Sequence, residues 1–123
     1  MKRLLLFACV LILAAACHHQ DERTATQLTG GDAVKGREAI ANYGCGSCHQ
    51  IRGVSGANGM IGPPLNDIGS RTTLAGQLPN SPDNMVKWIR QPQQVESGTA
   101  MPDLGVTEKD ARDIAAYLYT LRK

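Results

Sequence analysis

Aromatic residues are scarce in this chain: one Trp, three Tyr and one Phe, 4% of 123 residues. Phe7 falls in the apolar N-terminal stretch, which leaves Trp88, Tyr43, Tyr117 and Tyr119 for a folded body. A small domain with so thin a core relies on something added, such as a disulfide, a metal or a bound group. Histidine is just as sparse. His18, His19 and His49 are the only three, and none follows residue 49. That removes the acid–base histidine that an open catalytic site would draw from the later chain. The longest apolar run, Leu4 to Cys17, is fourteen residues, with the strongly apolar part from Leu4 to Leu13. A membrane span needs about 20, so this run does not cross a bilayer. Neither a strict apolar–polar alternation nor an internal repeat is present, which argues against a sheet protein or a solenoid.

What stands at the N-terminus has the form of an export signal. Lys2 and Arg3 make a positive start, Leu4 to Leu13 an apolar centre, and Ala14, Ala15 and Ala16 a small-residue cleavage region. Residues 1–16 are therefore set aside as a signal peptide, and Cys17 follows directly. The run Leu13-Ala14-Ala15-Ala16-Cys17 resembles a bacterial lipoprotein signal, with Leu one step further back than usual. The resemblance implies a lipid on Cys17 and a protein held on the periplasmic side of a bacterial membrane. Ordinary cleavage without acylation would leave it soluble in the periplasm.

With Lys2 and Arg3 gone, eleven basic residues face eleven acidic ones, and the formal charge of +2 falls to zero. No basic field remains to recruit nucleic acid. Residues 17–30 are polar, with almost no apolar periodicity, and read as a flexible tether in which His18 and His19 are solvated. Such a tether would span about 20 Å root-mean-square.

Residues 31–123 read as one mostly α domain with three main helices. Asp32 is an N-cap for a helix to about Asn42, with Val34, Ile40 and Ala41 on one face and Ala33 beside them. Gly36 inside that helix costs about 1 kcal/mol relative to Ala, which points to a close backbone approach. Residues 51–78, rich in Gly, Pro, Asn and Ser, read as irregular loops. Ser81 and Pro82 open a second helix with Met85, Trp88 and Ile89 on one face, and Pro92 stops it. Thr107 caps the third, with Asp110 as capping-box acid. Ala111, Ile114, Leu118 and Leu121 form its stripe, widened by Tyr117.

The chemistry is concentrated at Cys45-Gly46-Ser47-Cys48-His49, the C-x-x-C-H spacing of covalent haem attachment. Two thiols three residues apart reach two vinyl groups on one ring edge. The adjacent histidine then lies under the iron as proximal ligand. A thioredoxin-like dithiol would need a strand before the motif and a βαβ setting, and helix and loop patterns stand there instead. Structural zinc would need four ligands, and only the two tether histidines could complete the set. A sixth ligand must come from Met60, Met85 or Met101. Met85 is explained by packing beside Trp88, and Met60 is too close along the chain to His49 to reach the far face. Met101, in a Gly- and Pro-bounded loop between helices, is the candidate. Ile61, Leu65, Ile68, Leu74, Trp88, Ile89 and Val95 are candidates to line the ring.

The stretch from Gly31 to Lys123 resembles a class I cytochrome c, with irregular loops wrapped around one covalent haem c. Gly31-Asp32-Ala33-Val34-Lys35-Gly36 resembles the family's start, which implies that Gly36 and Ile40 meet Ile114 and Tyr117. Gly62-Pro63-Pro64-Leu65 resembles the loop whose proline carbonyl accepts from the ligand histidine, which implies that role for Pro63. Arg71 matches an arginine near a haem propionate, and Trp88 an aromatic beside the methionine ligand. Gly98, Thr99 and Met101 match the methionine loop. The middle, Ser70 to Gly76 and Leu78 to Ile89, is similar to the cytochrome c domain fused to subunit II of some bacterial cytochrome c oxidases. The resemblance implies an electron carrier and not an enzyme. It would be served by respiratory donor and acceptor proteins, with a terminal oxidase among the candidates. The rival reading, a haem enzyme or gas sensor, needs an open coordination site, which cyanide or CO binding would reveal.

Overall fold

The computed structural model describes Met1, Ala16 and residues 19–123. The signal and Cys17 therefore lie outside the described residues, save for Met1 and Ala16. Among the described residues no helix is long and apolar enough to cross a membrane.

Among the described residues five helices carry the fold: α1 over residues 19–29, α2 Ala33–Asn42, α3 Pro82–Arg90, α4 Pro92–Val95 and α5 Glu108–Thr120. Short 3₁₀ turns occupy Cys45–Ser47 and Ile68–Ser70, and loops fill the rest apart from one small hairpin. Its strands, β1 Thr73–Leu74 and β2 Leu78–Pro79, pair antiparallel with Leu74 opposite Leu78. That hairpin was not expected inside a stretch of turn-forming residues. The architecture is the mostly α one, helices joined by irregular loops, that the sequence implied.

Capping explains where the helices begin. The Asp32 carboxylate accepts from the backbone N–H of Val34 and Lys35, Ser81 from Asn84, and Thr107 from Asp110. Pro92 ends α3 as expected, leaving Gln91 outside the helical region at φ −139°, ψ 55°. Pro92 also starts α4 at a position where its missing N–H costs nothing.

The core forms where α2 and α5 cross and α3 packs alongside. Ile40, Met85, Ile89, Ile114 and Leu118 are buried there. The crossing is centred on Gly36. A Cβ at that position would run into the carbonyl of Asp113 and sit 3.0 Å from the N of Ile114. Two helix backbones meet here because nothing stands between them. The expected face of α2 needs correction. Val34 is 51% exposed and Ala41 is exposed, whereas Gly36, Ala39 and Ile40 are buried with Ala33. The small residues 33, 36, 39 and 40 set the face, and the larger Val34 does not.

The flexible tether also differs from expectation. Residues 19–29 are helical, and Ala25 and Thr29 are each 2% exposed. The Thr29 hydroxyl donates to the Ala25 carbonyl at 2.8 Å, and Arg112 donates to the Thr29 carbonyl at 3.2 Å. Gly30 closes the helix at φ 71°, and Gly31 lies where a Cβ would strike the Arg112 carbonyl. At the other end, Asp21 lines one cavity with Thr120, Leu121 and Lys123. So α1 runs antiparallel along α5. It buries small residues spaced four apart, which is why no apolar stripe marks it in the sequence.

Candidate functional site

The chain leaves α2 through Tyr43 and turns at Gly44, whose φ of 74° is left-handed. The turn tightens the next residues. Cys48 N–H and His49 N–H both donate to the Cys45 carbonyl, at 3.2 and 3.1 Å. Cys45, Cys48 and His49 thereby share one turn, all half-buried. Two close backbone approaches hold it. A Cβ on Gly46 would lie 2.7 Å from Ala57, and one on Gly59 would enter the Ser47–Cys48 backbone.

The His49 ring is fixed on two sides. Its Nδ1 lies 2.8 Å from the Pro63 carbonyl. A carbonyl only accepts, so Nδ1 carries the proton and Nε2 keeps its lone pair for a metal. Gly62 packs flat against the imidazole, where any side chain would collide with Cε1. The loop that does this is itself tied down. Gly62 N–H donates to the Cys48 carbonyl at 2.8 Å. Arg71 donates to the Pro64 carbonyl at 2.5 Å and to Asp67 at 2.8 Å. Arg71 holds the Asp67 carboxyl below the usual carboxylate range, chiefly through that hydrogen bond. Arg71, which the resemblance puts near a haem propionate, thus also braces the proline loop.

The thiols are free and not joined to each other. Burial pushes the Cys45 thiol up from its ordinary value, the reverse of what a reactive redox thiolate requires. Among the described residues, no group of three His, Cys, Asp or Glu is gathered to hold a metal ion. What the donor set does fit is haem c. It offers two unpaired thiols one turn apart and an adjacent imidazole whose outward nitrogen is the free ligand.

The remaining expected residues lie on other elements. Trp88 is half-buried on α3, between the buried Met85 and Ile89. Met85 belongs to the core cluster, in keeping with its packing role. Met101 is half-buried in the loop from α4 to α5. Among the expected lining residues, Ile61 is 75% exposed, because its neighbour Gly62 is the one that faces the imidazole.

A residue missed by the sequence reading organises the methionine loop. The Gln93 side-chain amide donates to the carbonyls of Thr99, at 2.7 Å, and Met101, at 3.0 Å. Its oxygen accepts from Gly98 N–H at 3.3 Å. A glutamine in a Gln-rich stretch carries no spacing signal that would single it out.

The Cytochrome c family model matches residues 33–122. Cytochrome c oxidase subunit 2 of Alkalihalophilus pseudofirmus is 34% identical over 91 residues, covering 73% of this chain and 26% of that protein. Its counterpart from Bacillus sp. strain PS3 is 33% identical over 93 residues, covering 72% and 26%. The chain thus spans about a quarter of the length of these two relatives. Cytochrome c-551 of Ectopseudomonas mendocina is 27% identical over 97 residues, covering 72% of this chain and all of that protein. The chain belongs to the cytochrome c family, as a class I c-type cytochrome whose covalent haem c serves electron transfer.

Proposed function

We propose that this protein is an electron carrier with one haem, attached at Cys45 and Cys48 and ligated by His49 and Met101. The observation that carries this is the bond from His49 Nδ1 to the Pro63 carbonyl, which leaves Nε2 as a ligand of fixed direction. Met101 follows by elimination, since Met85 is committed to the core and Met60 is 85% exposed beside the histidine loop. The Gln93 hydrogen bonds support the same reading, because they hold the Met101 backbone in place. Arg71 and Trp88 keep their family roles, at a propionate and beside the methionine, as part of this proposal.

Thioether bonds fix the haem to the chain, and the metal supplies one-electron chemistry when bound. This chain's residues orient the imidazole. Met101→Ala should abolish the weak near-infrared band of a methionine–ferric haem. Met101→His should lower the potential by on the order of 0.1–0.3 V. Spectrum and potential left intact by either change would refute the ligation.

The proposed partners are those of a respiratory chain, with a terminal oxidase among them, a reading that the likeness to oxidase subunit 2 supports. The proposed location is the periplasmic side of a bacterial membrane, with Cys17 acylated. The two steps from Cys17 to residue 19, where α1 is already helical, reach at most about 7 Å. An acylated protein would therefore be held close to the membrane surface. Cys17→Ser should release it to the soluble fraction with its haem spectrum intact. A wild-type protein already soluble and without lipid mass would overturn the anchor alone.

A further inference from the structure

We propose that Asn80 and Tyr119 are positioning residues for the haem ligand His49. They act through Arg71 and the proline loop to steady the bond between the imidazole and Pro63, and so help to set the haem potential. The inference rests on the ligation of iron by His49 and adds to it the residues that hold that ligand's support from a distance.

The His49 Nδ1–H donates to the Pro63 carbonyl at 2.8 Å. Such a bond makes the imidazole a more basic ligand, which favours the ferric state. It is only as firm as the loop that supplies the carbonyl. Pro63 and Pro64 are exposed and have no backbone N–H of their own to tie them down. Arg71 supplies the hold, donating to the Pro64 carbonyl at 2.5 Å. Whatever aims Arg71 therefore decides how steady the loop is.

Asn80 does the aiming. Arg71 follows the 3₁₀ turn Ile68–Ser70, and its N–H closes that turn on the Ile68 carbonyl at 3.2 Å. The Asn80 Nδ2 donates to the Ile68 carbonyl and to the Arg71 carbonyl, each at 2.8 Å. One amide thus clasps both ends of the turn. Its backbone N–H is fixed as well, to the Thr72 carbonyl at 2.9 Å. With both amide hydrogens engaged, the side-chain oxygen still needs a donor. Tyr119 provides it, its hydroxyl donating to Asn80 Oδ1 at 2.7 Å.

Tyr119 lies on α5 and is 6% exposed. Burial pushes its phenol up from the ordinary value, so the hydroxyl keeps the proton it donates. The turn sits directly on the end of α5. Gly69 N–H donates to the Leu121 carbonyl at 2.9 Å, and a Cβ on Gly69 would lie 2.8 Å from the Tyr119 carbonyl. A phenylalanine at 119 would fill the same space and leave the Asn80 oxygen without its donor. The C-terminal helix thereby reaches the ligand through Asn80, Arg71 and the proline loop in turn.

The test is made on the holoprotein and reads His49 itself. In Tyr119→Phe, solvent exchange of the His49 Nδ1 proton, followed by NMR in the reduced state, should quicken about tenfold. The potential should rise, so that the oxidised-to-reduced ratio at the wild-type midpoint falls about twofold. Ile114→Val trims the buried face of the same helix where it meets α2 and lowers stability. That variant should leave the proton and the potential unchanged. Asn80→Ala should move both readouts in the direction of Tyr119→Phe. Adding Tyr119→Phe to Asn80→Ala should then change nothing more, because its route to the ligand is gone. Equal shifts in Tyr119→Phe and Ile114→Val would make Tyr119 a merely structural residue and overturn the proposal. So would an unmoved proton and potential in Tyr119→Phe, or additive effects in the double variant. If Asn80→Ala fails to fold, the comparison of Tyr119→Phe with Ile114→Val decides alone. A wild-type oxidised holoprotein without paramagnetically shifted His49 ring protons would instead overturn the ligation by His49 beneath it.

Discussion

Replacing Gly36 by Ala sets two known effects against each other. Ala is the better helix former, by about 1 kcal/mol in a helix interior. Packing opposes it. The added Cβ would enter the carbonyl of Asp113 and sit 3.0 Å from Ile114 N. An ordinary carbon–oxygen approach is about 3.3 Å or more, so α2 and α5 must separate by on the order of 1 Å. The obstacle is backbone, and that backbone is anchored. The Asp113 carboxylate accepts from Asp32 N–H at 2.8 Å and from Lys109 Nζ at 2.5 Å, so the segment cannot shift alone. Overpacking a core costs about 1–3 kcal/mol, and a rigid contact belongs at the upper end. The net loss is then about 2 kcal/mol, or roughly 8–16 °C in Tm for a domain of this size. The assay is denaturant unfolding of the holoprotein followed by far-UV circular dichroism, with the m-value checked for constancy. Lys35→Ala, at an exposed site on the same helix, should stay within about 0.5 kcal/mol of wild type. A Gly36→Ala protein as stable as wild type, or more so, would refute the close crossing.

Three further outcomes follow from the same structure. Asp113→Ala leaves the Asp32 N–H without its acceptor and should cost about 2–3 kcal/mol in denaturant unfolding, whereas Asp113→Asn should cost less. Asp110 is held below the usual carboxylate range, first by the Tyr43 hydroxyl at 2.8 Å and then by Thr107. A depressed folded-state value gives stability that is present above the unfolded value of about 3.9 and is lost as pH falls through the folded value. Tyr43→Phe should thus raise the Asp110 titration midpoint seen by NMR, and its stability deficit against wild type should shrink on acidification. Gln93→Ala removes both donors to the methionine loop, so the near-infrared band should disappear at a lower temperature than in wild type, with little change in the potential at 25 °C.

Much of this was legible in the sequence because it rests on local rules. The caps at Asp32, Ser81 and Thr107 act within three residues, and each starts its helix where expected. Pro63 was assigned by resemblance, and its carbonyl lies at the histidine nitrogen as expected. What escaped depends on contacts between distant segments. The buried face of α2 follows from how closely its glycine approaches α5, and hydrophobicity alone pointed to Val34. Helix α1 buries Ala25 and Thr29 against a helix some ninety residues later in the chain, so its sequence reads as polar linker. Asp110 was expected to complete a capping box, and its carboxylate accepts from Tyr43 on a different element. Gln93 and the small hairpin at Thr73–Pro79 likewise have meaning only once the loops are folded.

The account rests on one haem joined covalently to Cys45 and Cys48. Intact mass of the mature protein, with mass mapping of the peptide that spans Cys45 to His49, tests this most directly. The account predicts a single haem added to that peptide and no alkylation of either cysteine. A mature protein without haem mass, with both thiols open to alkylation, would contradict it.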